Sequence, residues 1–531
     1  MSDRELKKII RQWFETPEGA ANKNALKLEN APKLQKLLKD HPAEASRLWE
    51  LALDMCQKSF RKDHGIFYTP ASVAENMTEN ALSAWLAEHD SFAEIKKIKI
   101  LDPSCGDGEF LISALKKLIE IHKKFQAGLP ENEIARQIIK NNLYGIDCDA
   151  NALDLLQKKF SDFTGCSIKS SNLVNKNTLD FSSAADCFNK NIKFDLIIGN
   201  PPYVSYGLRN VNKLDRTDSE TLRQRFPNSA EYKIAVYALF MEFAVNSLKP
   251  GAWHTFIVPD SFLCGQYFTK LRNFLLKTCE FSKIWFIREK IFNATPGSLV
   301  IYLLRRVKRV KKNHILETFK VDDFKNITQL PVHKMLQDEF VGNYRQRFKI
   351  FFDKQTHDFV RNLEQKSVCK LGDLFTFASG VIGKNGKNSI VRDHLPNEPG
   401  IWKKGISSGS FIRKNKPIVW RNEYINVDPS VVKSGIGKID YDSEKILIRQ
   451  TGDSVIAAVD YNKLVVLNNI HVAVSKDKNL DLECIAEYLN SDVMHRYYQA
   501  VTLESGRAMA QVDLETLREL PVIGSAIRKK S

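Results

Sequence analysis

Phe194-Asp195-Leu196-Ile197-Ile198-Gly199-Asn200-Pro201-Pro202-Tyr203 is the stretch on which the rest of the chain can be read. Its first residues are mostly apolar and read as a buried strand of a parallel sheet that stops at Gly199. Pro201 and Pro202 remove two backbone donors and lock two φ angles. Asn200 and Tyr203 are thereby presented at the carboxyl end of a strand, where ligands of open α/β sheets sit. An amide, carbonyls without neighbouring N–H groups and an aromatic face form a receptor for a planar group bearing an NH2. The plainer alternative is a strand-to-loop turn, which Asn-Pro also opens.

The whole chain narrows the field. Its 531 residues suggest about two to four domains. A formal net charge of +16 and a pI near 9.2 point to a polyanionic or acidic-surface partner. Nine scattered cysteines without a C-x-x-C pair read as buried thiols of a reducing compartment, with no metal site. The charged start of the chain is unlike a signal peptide, and no apolar run is long enough to span a bilayer. The expectation is a cytoplasmic protein.

Upstream of the central strand lie further signals. Leu6, Ile9, Ile10, Trp13 and Phe14 share a helical face, and residues 1–62 read as a helical segment. Thr69 is placed to cap a helix opening at Pro70, with Val73, Met77, Leu82 and Trp85 near one face. Ile100-Leu101-Asp102-Pro103-Ser104-Cys105-Gly106-Asp107-Gly108-Glu109-Phe110 reads as strand, glycine turn and helix. Leu111 stands where a third glycine of G-x-G-x-x-G would be, and Asp102, Asp107 and Glu109 crowd the turn. That composition disfavours a pyrophosphate and favours a cationic ligand. Residues 123–141 read as a polar, helix-like insertion before Tyr144-Gly145-Ile146-Asp147-Cys148, a second strand ending in an acid. Asp147 lies where a nucleoside ribose is bound in a βαβ unit, and Asp180-Phe181 gives a third acid beside an apolar group.

In this order, D-P-S-C-G-D-G-E-F-L, Y-G-I-D, L-D-F and F-D-L-I-I-G-N-P-P-Y resemble an S-adenosylmethionine-dependent amino-methyltransferase. With Y-T-P (Tyr68, Thr69, Pro70) upstream, the order is similar to that of the gamma class of DNA adenine-N6 methyltransferases of restriction-modification systems. The likeness covers roughly residues 60–310. It implies a Rossmann-like, doubly wound α/β sheet, S-adenosyl-L-methionine as cofactor and double-stranded DNA as substrate, with the target base flipped out. The implied catalytic residues are Asn200, Pro201, Pro202 and Tyr203, with Phe292 supporting the base from its edge. Asp147 with Cys148 would bind the cofactor ribose, and Asp180 and Phe181 its adenine. Asp102 and the Gly106–Gly108 backbone would hold the methionine part, with Thr69 alongside, and Tyr68, Pro70, Ser104, Cys105, Phe110, Asn200 and Pro202 are further cofactor-binding candidates.

Downstream, residues 205–230 are polar and read as a mobile loop over the substrate. The cationic run 305–312 reads as a phosphate contact or a solvated strand end. Lys384, Lys387, Lys403, Lys404, Arg413, Lys414, Lys416 and Arg421 are interleaved with glycines and with Trp402, Phe411 and Trp420, a composition suited to phosphate and base contact. Parts of 444–491 resemble, more loosely, the target-recognition domains of type I specificity subunits. The domain reading is a helical segment 1–62, a catalytic domain 63–312, a connector 313–365 and a mixed α+β target-recognition domain 366–531. No segment is left over for a fused nuclease, so a cognate restriction endonuclease would be a separate partner. RNA or protein-glutamine methylation, and a non-catalytic DNA specificity protein, are the alternatives.

Overall fold

The computed structural model describes residues 3–16, 32–41, 48, 52, 69–126, 128–206, 216–289, 291, 297–324, 327, 330–437, 439–505, 507 and 510–529. The chain divides into two compact units, Met1–Arg347 and Phe348–Ser531.

In the first unit the strands are β1 (Ile100–Asp102), β2 (Leu143–Asp147), β3 (Leu173–Asn175), β4 (Phe194–Gly199), β5 (Ser205–Tyr206), β6 (Ile234–Ala235), β7 (Leu248–Pro259), β8 (Cys279–Ile287), β9 (Leu299–Arg306), β10 (Ile315–Val321) and β11 (His333–Leu336). Nine of them form one sheet in the order β11-β10-β8-β9-β7-β4-β1-β2-β3. The strands from β3 to β7 are parallel neighbours, and β9 runs antiparallel between β7 and β8. This is the doubly wound α/β sheet that the motifs imply. Chain order reverses at β1, between β2 and β4, and that switch point is where such sheets open a crevice.

β4 sits in the middle for a simple reason. Leu196, Ile197 and Ile198 are completely buried, so both faces of the strand need cover. Leu196 and Ile198 join a core with the helix Ala71–Leu86, the helix Glu109–Phe125 and the helix Glu131–Asn141. Ile197, one residue out of phase, faces the other side. The segment 131–141 is therefore no polar insertion: Ile134, Ala135, Ile138 and Ile139 are all buried, a helical stripe hidden among charged neighbours.

Two further differences concern boundaries. The sheet does not end at 312, since β10 pairs with β8 and β11 with β10, and the unit closes at Arg347. Their short alternation of apolar and charged residues hides them in a linear reading. Within 205–230, β5 pairs with β6 and Arg216–Arg225 is helical, so the described part of that segment is not a loop throughout. The helical reading of the N-terminus is matched by Asp3–Phe14 and Pro32–Asp40, with Leu6, Ile10, Trp13 and Leu34 in one small core.

The second unit is mixed α+β. A four-stranded sheet orders Phe375–Ser379, Ile470–Ser475, Lys445–Arg449 and Ala457–Asp460, and helices Leu482–Leu489 and Asp492–Thr502 follow it. A smaller sheet, built on Trp402–Ile406 and Tyr424–Asn426, carries the cation-rich loops. Of the described cysteines Cys105, Cys187 and Cys279 are buried, while Cys148 and Cys166 are exposed, which corrects the expectation of uniformly buried thiols. Among the described residues no helix is long and apolar enough to cross a membrane.

Candidate active site

The site is assembled at the carboxyl ends of β1, β2 and β4. After β1 the chain turns through Gly106 (φ +51°) and Gly108 (φ +93°) into the helix Glu109–Phe125. A Cβ on Gly108 would lie 2.2 Å from Leu156 Cδ1, so the second glycine is required by handedness and by packing. A Cβ on Gly106 would meet nothing within 4 Å, so the turn opens onto free space there. The turn is pinned from β2: the Gly106 N–H donates to Asp147 Oδ2 at 2.7 Å, and the Asp149 N–H to Asp147 Oδ1 at 2.8 Å. Each carboxylate oxygen keeps a further lone pair.

Asp102 closes β1 and is almost fully buried. It accepts the Ser104 N–H at 3.0 Å. Burial is the main cause that pushes its carboxyl up to about 8; the Ser104 bond opposes this and Asp147 adds to it. Gly199 at the end of β4 explains how the acid fits: a Cβ there would lie 2.7 Å from Asp102 Oδ1. The final glycine of the strand is thus the space that the neighbouring carboxyl occupies.

Asn200 is fixed at three points. Its Nδ2 donates to Thr69 Oγ1 at 3.1 Å, its main-chain carbonyl accepts from Ser104 Oγ at 3.4 Å, and Pro201 behind it is buried. The helix after Thr69 starts at Ala71, with Pro70 in the cap position and no side chain capping it. The expected Thr69 cap is therefore absent, and the hydroxyl is spent on Asn200 instead. Tyr203 is anchored from the other end: its hydroxyl donates to Ile257 O at 2.9 Å, and its ring meets Tyr237 edge-on at 6.5 Å. Burial holds its phenol well above its ordinary value, so it remains neutral.

Around this centre the other candidate residues divide. Asp180 and Phe181 follow β3; Asp180 Oδ1 accepts from Asn177 Nδ2 at 3.1 Å, and Lys176 lies 5.1 Å from the Phe181 ring. Pro202 is half-buried beside Tyr203, and Pro70 is exposed at its helix start. Cys105 and Phe110 are buried in the core beneath the turn, and Cys148 is exposed after β2. Tyr68 and Phe292 lie outside the described residues.

The acidic turn is less anionic than its composition suggests. Lys159 reaches over from the helix Ala150–Thr164 and pairs with Asp107 at 3.0 Å and Glu109 at 3.1 Å. Asp107 and Glu109 share one lysine, about 50 residues away in sequence, and burial favours the neutral form of Asp102. Thr178 is also outside the motif reading; its Oγ1 donates to Pro103 O at 2.5 Å and ties the segment after β3 to the turn. No spacing rule points to either residue.

Three families match parts of the chain: Eco57I restriction-modification methylase over 127–292, the DNA-methyltransferase domain of MmeI over 79–158, and the TaqI-like C-terminal specificity domain over 405–522. The type II restriction enzyme and methyltransferase RM.Eco57I of Escherichia coli is 26% identical over half of this chain and 30% of its own length. The type II methyltransferase M.VspI of Vibrio sp. (strain 343) is 24% identical over 42% of this chain and 43% of its own length. The chain thus spans less than half the length of these relatives. Among solved structures, a nuclease-deletion mutant of the type ISP restriction-modification enzyme LlaGI, in complex with a DNA substrate mimic, has TM-score 0.59 at 14% identity, covering 91% of this chain and 47% of that one. The type IIL restriction-modification enzyme MmeI in complex with DNA has TM-score 0.51 at 14% identity, covering 85% and 70%. At these identities the structures speak to fold alone. Motifs, matched families and fold agree, and they identify the chain as a relative of type II restriction-modification methyltransferases, with a match to a TaqI-like specificity domain following the methylase match in its own sequence.

Proposed function

We propose that the chain methylates adenine N6 in double-stranded DNA, at sites read by its second unit, as the modification enzyme of a restriction-modification system. One observation carries this reading: the Asn200–Tyr203 segment is clamped by Thr69, Ser104 and Ile257 at the end of β4, against the buried acid and open glycine turn of β1.

Adenine N6 is a poor nucleophile because its lone pair is delocalised into the ring. Asn200 Oδ1 and the Pro201 carbonyl would accept hydrogen bonds from the two N6 hydrogens. Thr69 holds the NH2 end of the Asn200 amide, which would leave the oxygen end for the amine. Charge is thereby localised on the nitrogen by positioning and electrostatics, without a strong base. The base must leave the duplex first, at a cost of a few kcal/mol, and stacking on Tyr203 would recover ~1–3 kcal/mol of it.

S-adenosyl-L-methionine would supply an electrophilic methyl on sulfonium sulfur. The residues present fit it: Asp147 retains acceptor capacity for ribose hydroxyls, and the open side of Gly106 leaves room for a ligand. Asp180 and Phe181 would take its adenine. Phe292, Tyr68, Pro70, Pro202 and Cys148 remain candidates by motif position. The second unit brings the cations to the DNA; the LlaGI structure holds a DNA substrate mimic and the MmeI structure DNA. A separate endonuclease would complete the system.

The test is transfer of labelled methyl from the cofactor to unmethylated chromosomal DNA, followed by nucleoside analysis. N6-methyladenine is expected, and Asn200→Ala should abolish it. Label found only in N4-methylcytosine, in RNA or on protein glutamine would overturn the proposal.

A further inference from the structure

We propose that Tyr232, Lys233 and Tyr267 form a second nucleotide seat beside the Asn200 pocket, which takes an unstacked base of the DNA strand on its rings and that nucleotide's phosphate on Lys233. The inference rests on DNA being the substrate.

Tyr232 is 78% exposed, more than any other large apolar or aromatic side chain among the described residues. Single exposed aromatics are ordinary. This one is not single: its ring lies 5.7 Å from that of Tyr267, tilted by 33°, and Lys233 Nζ lies 5.2 Å from the Tyr267 ring. Lys233 makes no ion pair among the described residues, so its charge is not already spent. Glu231, the acid next in sequence to Tyr232, is engaged elsewhere and accepts the Lys270 N–H at 2.7 Å.

Placement decides what the patch is for. Ser205 pairs with Ala235 and Tyr206 with Ile234, and the Val236 N–H donates to Val204 O at 2.8 Å. The chain that leaves Tyr203 is thus stitched directly to the chain that leaves Tyr232 and Lys233. From the other side, Tyr267 precedes Phe268, whose ring stacks on Tyr237 at 5.6 Å, and Tyr237 meets Tyr203. The half-buried Tyr267, against which the exposed Tyr232 lies, is therefore one residue along the chain from Phe268, the last ring of a series Tyr203, Tyr237, Phe268. Aromatic faces accept any base, and a lysine beside them suits a phosphate. In the proposed function the Asn200 segment takes one base, so the outer seat falls to a neighbouring nucleotide.

Binding of a fluorescein-labelled oligothymidylate to the full chain, followed by anisotropy, tests this without methyl transfer. Tyr232→Ala should weaken binding about tenfold, and Tyr232→Trp should restore it. Lys233→Ala should make the slope of log K against log[salt] shallower by about 0.7. A melting temperature measured on each variant separates lost contact from lost fold, and the tryptophan variant decides if alanine proves unstable. Unchanged affinity in Tyr232→Ala, or equal weakening in the alanine and tryptophan variants, would overturn the proposal. Methyl transfer to DNA by the wild-type chain is measured separately, so failure of the methyltransferase reading shows there and failure of the second seat shows in the anisotropy.

Discussion

Asn200 owes its orientation to a residue that reads as something else. Thr69 has the sequence context of a helix cap, yet the helix starts one residue later than that role needs, and the hydroxyl accepts from the Asn200 amide. Thr69→Val keeps the shape and removes the acceptor. We expect kcat to fall roughly 10- to 100-fold, the worth of one hydrogen bond in the transition state, with cofactor affinity little changed. Equal turnover in the two proteins would show that the amide is held by other means. Asp102 gives a pH signature. Its carboxyl is raised from an ordinary 3.8 to about 8, chiefly by burial, so the folded protein keeps a proton that the unfolded chain releases. Stability from this group is therefore lost as pH rises from about 4 to about 8. A cationic ligand seated beside it would favour the carboxylate and expel the proton. Cofactor affinity should then rise with pH below about 8, by up to about tenfold per unit. Calorimetry in buffers of different ionisation enthalpy would detect the released proton, and uptake without release would refute the linkage.

The glycine turn and the strands around it illustrate how elements make the pocket. Gly108 adopts φ +93° and faces Leu156, which is fully buried. Gly108→Ala must both strain the backbone and displace that leucine, and should cost about 1–3 kcal/mol. Urea unfolding followed by circular dichroism would measure it. Gly199 is a different case: its φ is ordinary, and it is required because the Asp102 carboxyl lies against its Cα. In the second unit, Lys445 and Asp460 form an ion pair of 2.6 Å at the base of the sheet, both fully buried. Lys445 also donates to Tyr441 O, and Asp460 accepts from the Leu464 and Asn462 N–H groups. Asp460→Ala would strand a buried cation and should destabilise the unit by about 3–5 kcal/mol, read as a lower urea midpoint.

Taken as a whole, the molecule carries its net charge of +16 on two compact units with separate cores. The eight cations singled out in 384–421 lie in the second unit but are not equivalent. Lys403 pairs with Asp442 and Lys414 with Asp492, while Lys404 lies 4.7 Å from the Trp420 ring and Arg421 4.9 Å from the Phe411 ring. Lys384 donates to Ser430 O. Lys387, Arg413 and Lys416 are exposed and make no ion pair among the described residues. Replacing these three by alanine should weaken DNA binding across sequences and make the salt slope shallower by about 2–3. An unaltered slope would place the phosphate contacts elsewhere. The run 305–312 is partly structural: Arg305 pairs with Glu88 at 2.6 Å and Arg306 binds Leu248 O, which leaves its later cations exposed.

The central strand, the glycine turn and the acids that end β1 and β2 were legible in the sequence, because each depends on contiguous residues: an apolar run, a positive-φ position, a proline pair. The position of 131–141 in the core, the extension of the sheet through β10 and β11, and the neutralising Lys159 were not legible. Each depends on which distant segment comes to lie opposite, and a charged sequence pattern is silent on that. Thr69 belongs to both groups: its motif marked it, and the partner of its hydroxyl came from residue 200, just past the end of a central strand whose sheet had first to be built.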